Sequence, residues 1–172
     1  MSLFDRRSFL LMPLALTLAA CGFTPVYAPG QTGSSLYGAV EFRAPKDETS
    51  YRFGRNMEER LGRTSSGTYR LDYELKLDEE GQAITPTGEI TRFSIEGVVA
   101  YKLIRLSDEA VVTKGSSKNF TGYSAEGSTV DVLVGEQDAV ERLMVILADQ
   151  VTADLLASDL TKTVATNEDD DA

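Results

Sequence analysis

Leu18, Ala19, Ala20 and Cys21 close a short apolar run that follows Arg6 and Arg7, and Cys21 is the single cysteine of the 172-residue chain. Slim side chains ahead of a cysteine suit cleavage on its N-terminal side, and the thiol is the nucleophile that a diacylglycerol group requires. The chemistry expected here is lipid attachment: an S-diacylglycerol on Cys21, and an N-acyl group such as palmitate on the amine that cleavage frees. Phe9 to Ala20 falls well short of the roughly 20 apolar residues that span a bilayer, so residues 1–20 read as a lipoprotein signal peptide. A lone cysteine in an exported chain has no internal disulfide partner, which favours modification. The competing reading is an ordinary secretory cut that happens to precede a free thiol.

Asp5, Arg6, Arg7, Ser8, Phe9 and Leu10 also have the form of a twin-arginine export signal, with two arginines, a polar residue and two large apolar ones. Adjacent arginines are equally at home in a general secretory n-region. Both routes lead out of the cytoplasm.

Composition excludes more chemistry than it supplies. The formal charge is −10, and loss of Asp5, Arg6 and Arg7 with the leader leaves the mature chain one unit more acidic. That sign disfavours nucleic acid as a partner. It equally disfavours adhesion to anionic headgroups, so membrane attachment must come from the covalent lipid on Cys21. The chain has no histidine, which removes the usual general base near neutral pH and the commonest zinc ligand. No phosphate-cradling glycine loop, nucleophile elbow or paired-cysteine motif is visible, and no carboxylate pair stands out. Acidic side chains are plentiful, so a hydrolase built on two carboxylates stays open as a further reading, although no pair is singled out; no metal or dissociable cofactor is expected. The Glu168 to Asp171 run lies in a polar end, residues 161–172, which reads as a solvated acidic tail.

Residues 21–35 are rich in Gly, Pro, Ser and Thr and read as a lipidated tether. The folded domain is expected over residues 36–160. Tyr37 to Ala44 alternates weakly and stops at Pro45, a first strand. Asp47, Thr49 or Ser50 can cap a helix lined by Phe53, Met57 and Leu61. Thr68 to Leu77 alternates cleanly, with Tyr69, Leu71, Tyr73, Leu75 and Leu77 on one face. Gly81 to Gly88 reads as a loop. Ile90 to Leu106 and Ala110 to Thr121 read as long strands of one hairpin, expected to be the longest in the protein. Gly122 to Gly135 reads as irregular, followed by a helix over Glu136 to Ala157 with Val140, Leu143, Leu147, Val151 and Leu155 as its stripe. The order β-α-β-β-β-α predicts an α+β two-layer sandwich, two helices on one face of a four-stranded mixed sheet.

Cys21, Gly22, Phe23, Thr24, Pro25, Val26 and Tyr27 resemble the start of mature LPS-assembly lipoproteins of the LptE family, in its alphaproteobacterial form. The resemblance continues in the element order and in Asp138, Ala139, Val140, Glu141 and Arg142, with Leu147, Ala148 and Asp149 beyond. It covers most of residues 21–157 and departs in the acidic tail and the twin-arginine start. It implies an outer-membrane lipoprotein, held on the periplasmic side by its lipid, that plugs the LptD β-barrel translocon and helps lipopolysaccharide reach the surface: a partner-binding and lipid-handling protein, not an enzyme. Gly22 after the cysteine agrees with passage to the outer membrane. A lipoprotein with no barrel partner, binding a small apolar ligand or a periplasmic protein, is the alternative. Tyr69, Tyr73 and Tyr101 would either line its cleft or fill the core.

A three-residue turn would set Leu106 against Ala110, and pairing backwards from there sets Lys102 opposite Lys114 with Lys118 diagonally near. Like charges directly opposite destabilise a strand pair, and a phosphate-bearing ligand held between them offsets that repulsion. Arg92 lies on the same face by parity. Together Arg92, Lys102, Lys114 and Lys118 form the candidate lipopolysaccharide-binding set. The competing reading lets the lysines splay into water.

Overall fold

The Asp47 carboxylate accepts from the Ser50 amide at 2.7 Å, and the Ser50 hydroxyl accepts in return from the Asp47 amide at 3.0 Å. This reciprocal cap satisfies two amides that a helix start would otherwise leave unpaired. In the computed structural model, which describes residues 25–163, it launches a helix over Glu48–Leu61. Phe53, Met57 and Leu61 on its buried face are fully excluded from solvent, as their spacing predicts.

Seven elements follow one another: α1 (Thr32–Leu36), β1 (Val40–Phe42), α2 (Glu48–Leu61), β2 (Tyr69–Ile84), β3 (Ile90–Arg105), β4 (Ala110–Ser124) and α3 (Thr129–Ala157). The strands form one sheet in the order β1-β2-β3-β4, parallel between β1 and β2 and antiparallel elsewhere. The α2 crossover makes the parallel pair possible, since parallel neighbours cannot be joined by a tight turn. Helices α2 and α3 cover one face of the sheet, so the architecture is the expected α+β sandwich. Arg52 and Arg55 of α2 both reach Glu141 of α3, and Arg60 Nε meets Asp149 Oδ1 at 2.5 Å, which fixes the helices side by side.

The core lies between the helices and the inner face of β2, β3 and β4. Leu71, Val99 and Leu103 from the sheet meet Leu143, Leu147, Val151 and Leu155 of α3. Tyr101 is buried in the core, whereas Tyr69 and Tyr73 are half-buried and pack against the same cluster. The Tyr73 ring lies 4.9 Å from that of Phe53 and its hydroxyl donates to the Ser50 carbonyl.

Several boundaries differ from the sequence reading. The first strand is three residues long, because only Val40–Phe42 find partners on β2. Strand β2 runs on to Ile84 through residues expected as a loop, and its hairpin with β3 is as long as the one between β3 and β4. Glu79, Glu80 and Gly81 carry no apolar alternation, but β3 supplies a continuous ladder for them. Helix α3 begins at Thr129, two turns before the expected Glu136, because Ser128 and Asp131 form a capping box. Val130, Leu133 and Val134 of those turns point to solvent, so they add nothing to the core stripe. The segment expected as a tether is structured from Pro25 onward: its backbone turns back on itself and leads into α1, whose Leu36 is fully buried.

Candidate functional site

Cys21 and Gly22 lie outside the described residues, as do Phe23 and the Glu168 to Asp171 run. At Pro25, four residues after Cys21, the chain enters a tight turn. Ala28 N–H donates to the Pro25 carbonyl at 2.9 Å and Gly33 N–H to the Val26 carbonyl at 3.0 Å, so residues 25–28 lie against α1. A Cβ at Gly33 would sit 2.7 Å from that carbonyl and 2.8 Å from the Tyr27 ring, an approach that only glycine permits. Tyr27 and Tyr37 flank an open groove with Ser34 and Arg60.

The candidate cations belong to the sheet face that no helix covers. Lys102 and Lys114 are direct cross-strand partners. The route to that register differs from the expected one. Arg105, not Leu106, faces Ala110, and the turn is four residues long with Glu109 in the left-handed region at φ 54°. A bulge then inserts Val112 between the Leu103–Thr113 and Ile104–Val111 pairs. That extra residue lets Val112 enter the core, 2 % exposed, and restores the alternation that keeps Lys114 outside.

The other two cations stand apart from this pair. Lys118 faces Val98 and its ammonium lies 2.7 Å from the Glu96 carboxylate, so it is ion-paired within β3 and β4. Arg92 lies ten residues from Lys102 along β3, about 33 Å at the usual strand rise, and pairs with Ser124 at the other end of the sheet. The diagonal proximity expected for Lys118 and the shared patch expected for Arg92 therefore do not form. Asp72, which the sequence reading did not connect to the site, is the β2 partner of Lys102, and the Arg70 guanidinium lies 3.3 Å from its carboxylate. Alternation along β2 places Asp72 on the wet face, but its register against β3 depends on the irregular turn end near Gln82.

Charge on the open face is graded across the strands. Asp72, Glu74, Asp78 and Glu80 make the β2 column mainly acidic, whereas β4 holds Lys114 and Lys118 and no acidic residue. Beside these lysines, Phe120 of β4 is 69 % exposed. Val98 and Ala100 of β3 separate the columns. The β4 side thus offers cations next to apolar surface, a combination suited to an amphipathic anion.

Polar groups on the helix-covered face serve packing. Tyr101 Oη and Ser117 Oγ both donate to Asp154 Oδ2, at 3.1 and 3.2 Å. Burial, then the hydrogen bond to Asp154 and its charge, push the Tyr101 phenol up to about 12. Tyr123 donates to Glu79 at 2.5 Å and is raised for the same reasons, burial first. A cleft of about 240 Å³ beside β1 and α2 is lined by Phe42, Tyr51 and Tyr73 with Arg43, Arg55 and Arg63. It is smaller than the roughly 300 Å³ at which small-molecule pockets begin. Among the described residues, no three acidic or cysteine side chains converge as metal ligands, and no helix is long and apolar enough to cross a membrane.

No family model and no curated protein matches the chain. Solved structures do. A Caulobacter crescentus chain assigned as a lipoprotein superposes with a TM-score of 0.61 at 20% identity, covering 73% of this chain and 92% of its own. Rare lipoprotein B from Shewanella oneidensis superposes at 0.53 with 11% identity, over 68% of this chain and 91% of its own. Lipoprotein B from Nitrosomonas europaea gives 0.51 and 14%, over 78% and 88%. At these identities the likeness is one of fold, and the chain contains nearly the whole of each neighbour.

Proposed function

We propose that this chain is an envelope lipoprotein, exported under its N-terminal signal and anchored by lipid on Cys21. The observation that carries the reading is the run Leu18, Ala19, Ala20, Cys21 placed four residues before a folded domain. The shared fold supports it, because the neighbours named above are themselves described as lipoproteins. Within that class the resemblance of Cys21 to Tyr27 to LptE proteins favours an outer-membrane plug for the LptD β-barrel, acting in lipopolysaccharide delivery as a binding and assembly partner without catalysis. A wet, charged outer face such as Arg70, Asp72, Glu74 and Lys76 suits the polar lumen of a large barrel.

Lipopolysaccharide contact belongs to Lys102 and Lys114. They face each other across β3 and β4, and a phosphate between them relieves their repulsion. Arg92 and Lys118 fall outside this pair, the first by distance and the second through Glu96.

Two measurements test the proposal. Metabolic labelling with radioactive palmitate must mark the wild-type protein and not Cys21→Ser; equal labelling of both removes the anchor. Mild detergent extraction followed by pull-down must recover an outer-membrane barrel. A solitary lipoprotein in that experiment overturns the plug role and leaves the alternative, a periplasmic binding lipoprotein.

A further inference from the structure

The groove beside the tether carries an inference that rests on lipidation of Cys21 and goes beyond it. Tyr27 is 51 % and Tyr37 63 % exposed, and Val26 is exposed beside them. Tyr27 lies over Gly33, and Tyr37 lies over Gly62, whose added Cβ would come within 3.6 Å of the Tyr37 ring. Both rings line the same open groove. Outward tyrosines have an apolar body and a wet hydroxyl, the character of side chains that settle at the boundary between headgroups and acyl chains.

The position of the anchor says what covers them. Three residues separate Cys21 from Pro25, and the four Cα-to-Cα steps between them span at most about 14 Å when fully extended. A lipid on Cys21 therefore brings the bilayer within reach of Tyr27. A second exposed apolar cluster, Val130, Leu133 and Val134, lies at the opposite end of the molecule. The α1 end of the chain packs on the C-terminal end of α3, where Thr32 Oγ1 donates to the Ser158 carbonyl. Val130 to Val134 begin that helix, 29 residues long, or about 43 Å at 1.5 Å per residue.

We infer that Val26, Tyr27 and Tyr37 form a footing that rests on the same bilayer that receives the Cys21 lipid, leaving the start of α3 and the β2–β3 turn at the end of the molecule far from the anchor. The contact is aromatic and apolar, because a chain of charge −10 gains nothing from anionic headgroups.

The chain has no tryptophan, so single replacements report cleanly. Full-length protein extracted from membranes is prepared as Tyr27→Trp, Tyr37→Trp and Leu133→Trp, all exposed sites that tolerate the change. Each is placed in phosphatidylcholine vesicles containing lipids brominated near the top or deep in the acyl chain. Indoles at positions 27 and 37 are expected to lose at least half of their fluorescence to the shallow bromines, and the indole at 133 none. Quenching at 27 and 37 no greater than at 133, in protein whose Cys21 is shown by mass spectrometry to carry lipid, overturns the footing and leaves the lipoprotein reading intact. Protein whose Cys21 carries no lipid overturns both.

Discussion

Lys102 and Lys114 stand directly opposite one another on the uncovered face of the sheet, and Asp72 is the partner of Lys102 on its other side. The arrangement leaves one cation with an acidic neighbour strand and the other at the sheet edge, where β4 has no further strand beside it. Lys114 is therefore the member of the pair whose charge is least offset by its surroundings.

Lys114→Glu should accordingly stabilise the protein while weakening the proposed anion contact. Exchange of a like-charge for an opposite-charge cross-strand pair is worth about 0.2 to 1 kcal/mol. The urea midpoint should rise at low ionic strength, and the gain should shrink in about 1 M salt, where screening acts within about 3 Å. Binding of lipopolysaccharide in a direct assay should fall in the same variant. An unchanged midpoint at low salt would show that the two lysines already splay apart, and a lower one that Lys114 is favourably placed in the parent.

The pairing of these lysines was legible in the sequence, but through two offsetting differences. A three-residue turn and an unbroken ladder give the same Lys102–Lys114 register as the actual four-residue turn followed by a bulge at Val112. Burial of Val112 decides the bulge, and burial depends on helix α3, which local alternation does not contain. The same cause explains the far half of β2, where charged residues become strand only because β3 is present to pair with them. Elements whose own pattern names their buried face, such as Phe53, Met57 and Leu61 of α2, were readable directly. Asp72 was not, because its place beside Lys102 is a fact about register and not about either strand.

Tyr101 predicts an alkaline weakness. An unfolded tyrosine ionises near 10, whereas the Tyr101 phenol is held up to about 12, first by burial and then by Asp154. Between these values the unfolded chain gives up its proton first, so stability falls as pH rises from about 10 to about 12. Tyr101→Phe should cost about 0.5 to 1.5 kcal/mol near neutrality, through the lost hydrogen bond. It should also flatten the alkaline decline without abolishing it, because Tyr73 and Tyr123 are raised too. Urea titrations at pH 8, 10 and 11.5 read both effects, and an unchanged slope would remove Tyr101 as a contributor.

At Gly97 the side chains of α3 press against the backbone of β3. A Cβ there would lie 2.9 Å from a Leu147 methyl and 3.0 Å from one of Leu143. Gly97→Val should destabilise by about 1 to 3 kcal/mol through overpacking. Because the obstacle is a side-chain end, combining it with Leu147→Ala should cost less than the sum of the two single changes. Additive losses in a denaturation cycle would mean that the backbone of β3, and not Leu147, takes up the strain.

Gly33 tests whether Tyr27 is held or merely nearby. Its missing Cβ leaves room for the Val26 carbonyl, which accepts from the Gly33 amide, and for the Tyr27 ring. Gly33→Val drives a side chain into that space, so the turn over residues 25–28 must lift away from α1. The sheet and the α2–α3 packing do not involve this contact, and Leu36 remains available to bury. Hydrogen exchange should therefore quicken at the amides of Ala28, Gln31 and residue 33, while the amides of β3 stay protected. Placed in the Tyr27→Trp background, the same change should reduce shallow-bromine quenching at position 27 but not in Tyr37→Trp protein, since Tyr37 rests on Gly62 and not on Gly33. Equal exchange in the parent and the variant would show that the turn is already loose and that the lipid link, not the fold, sets where Tyr27 sits.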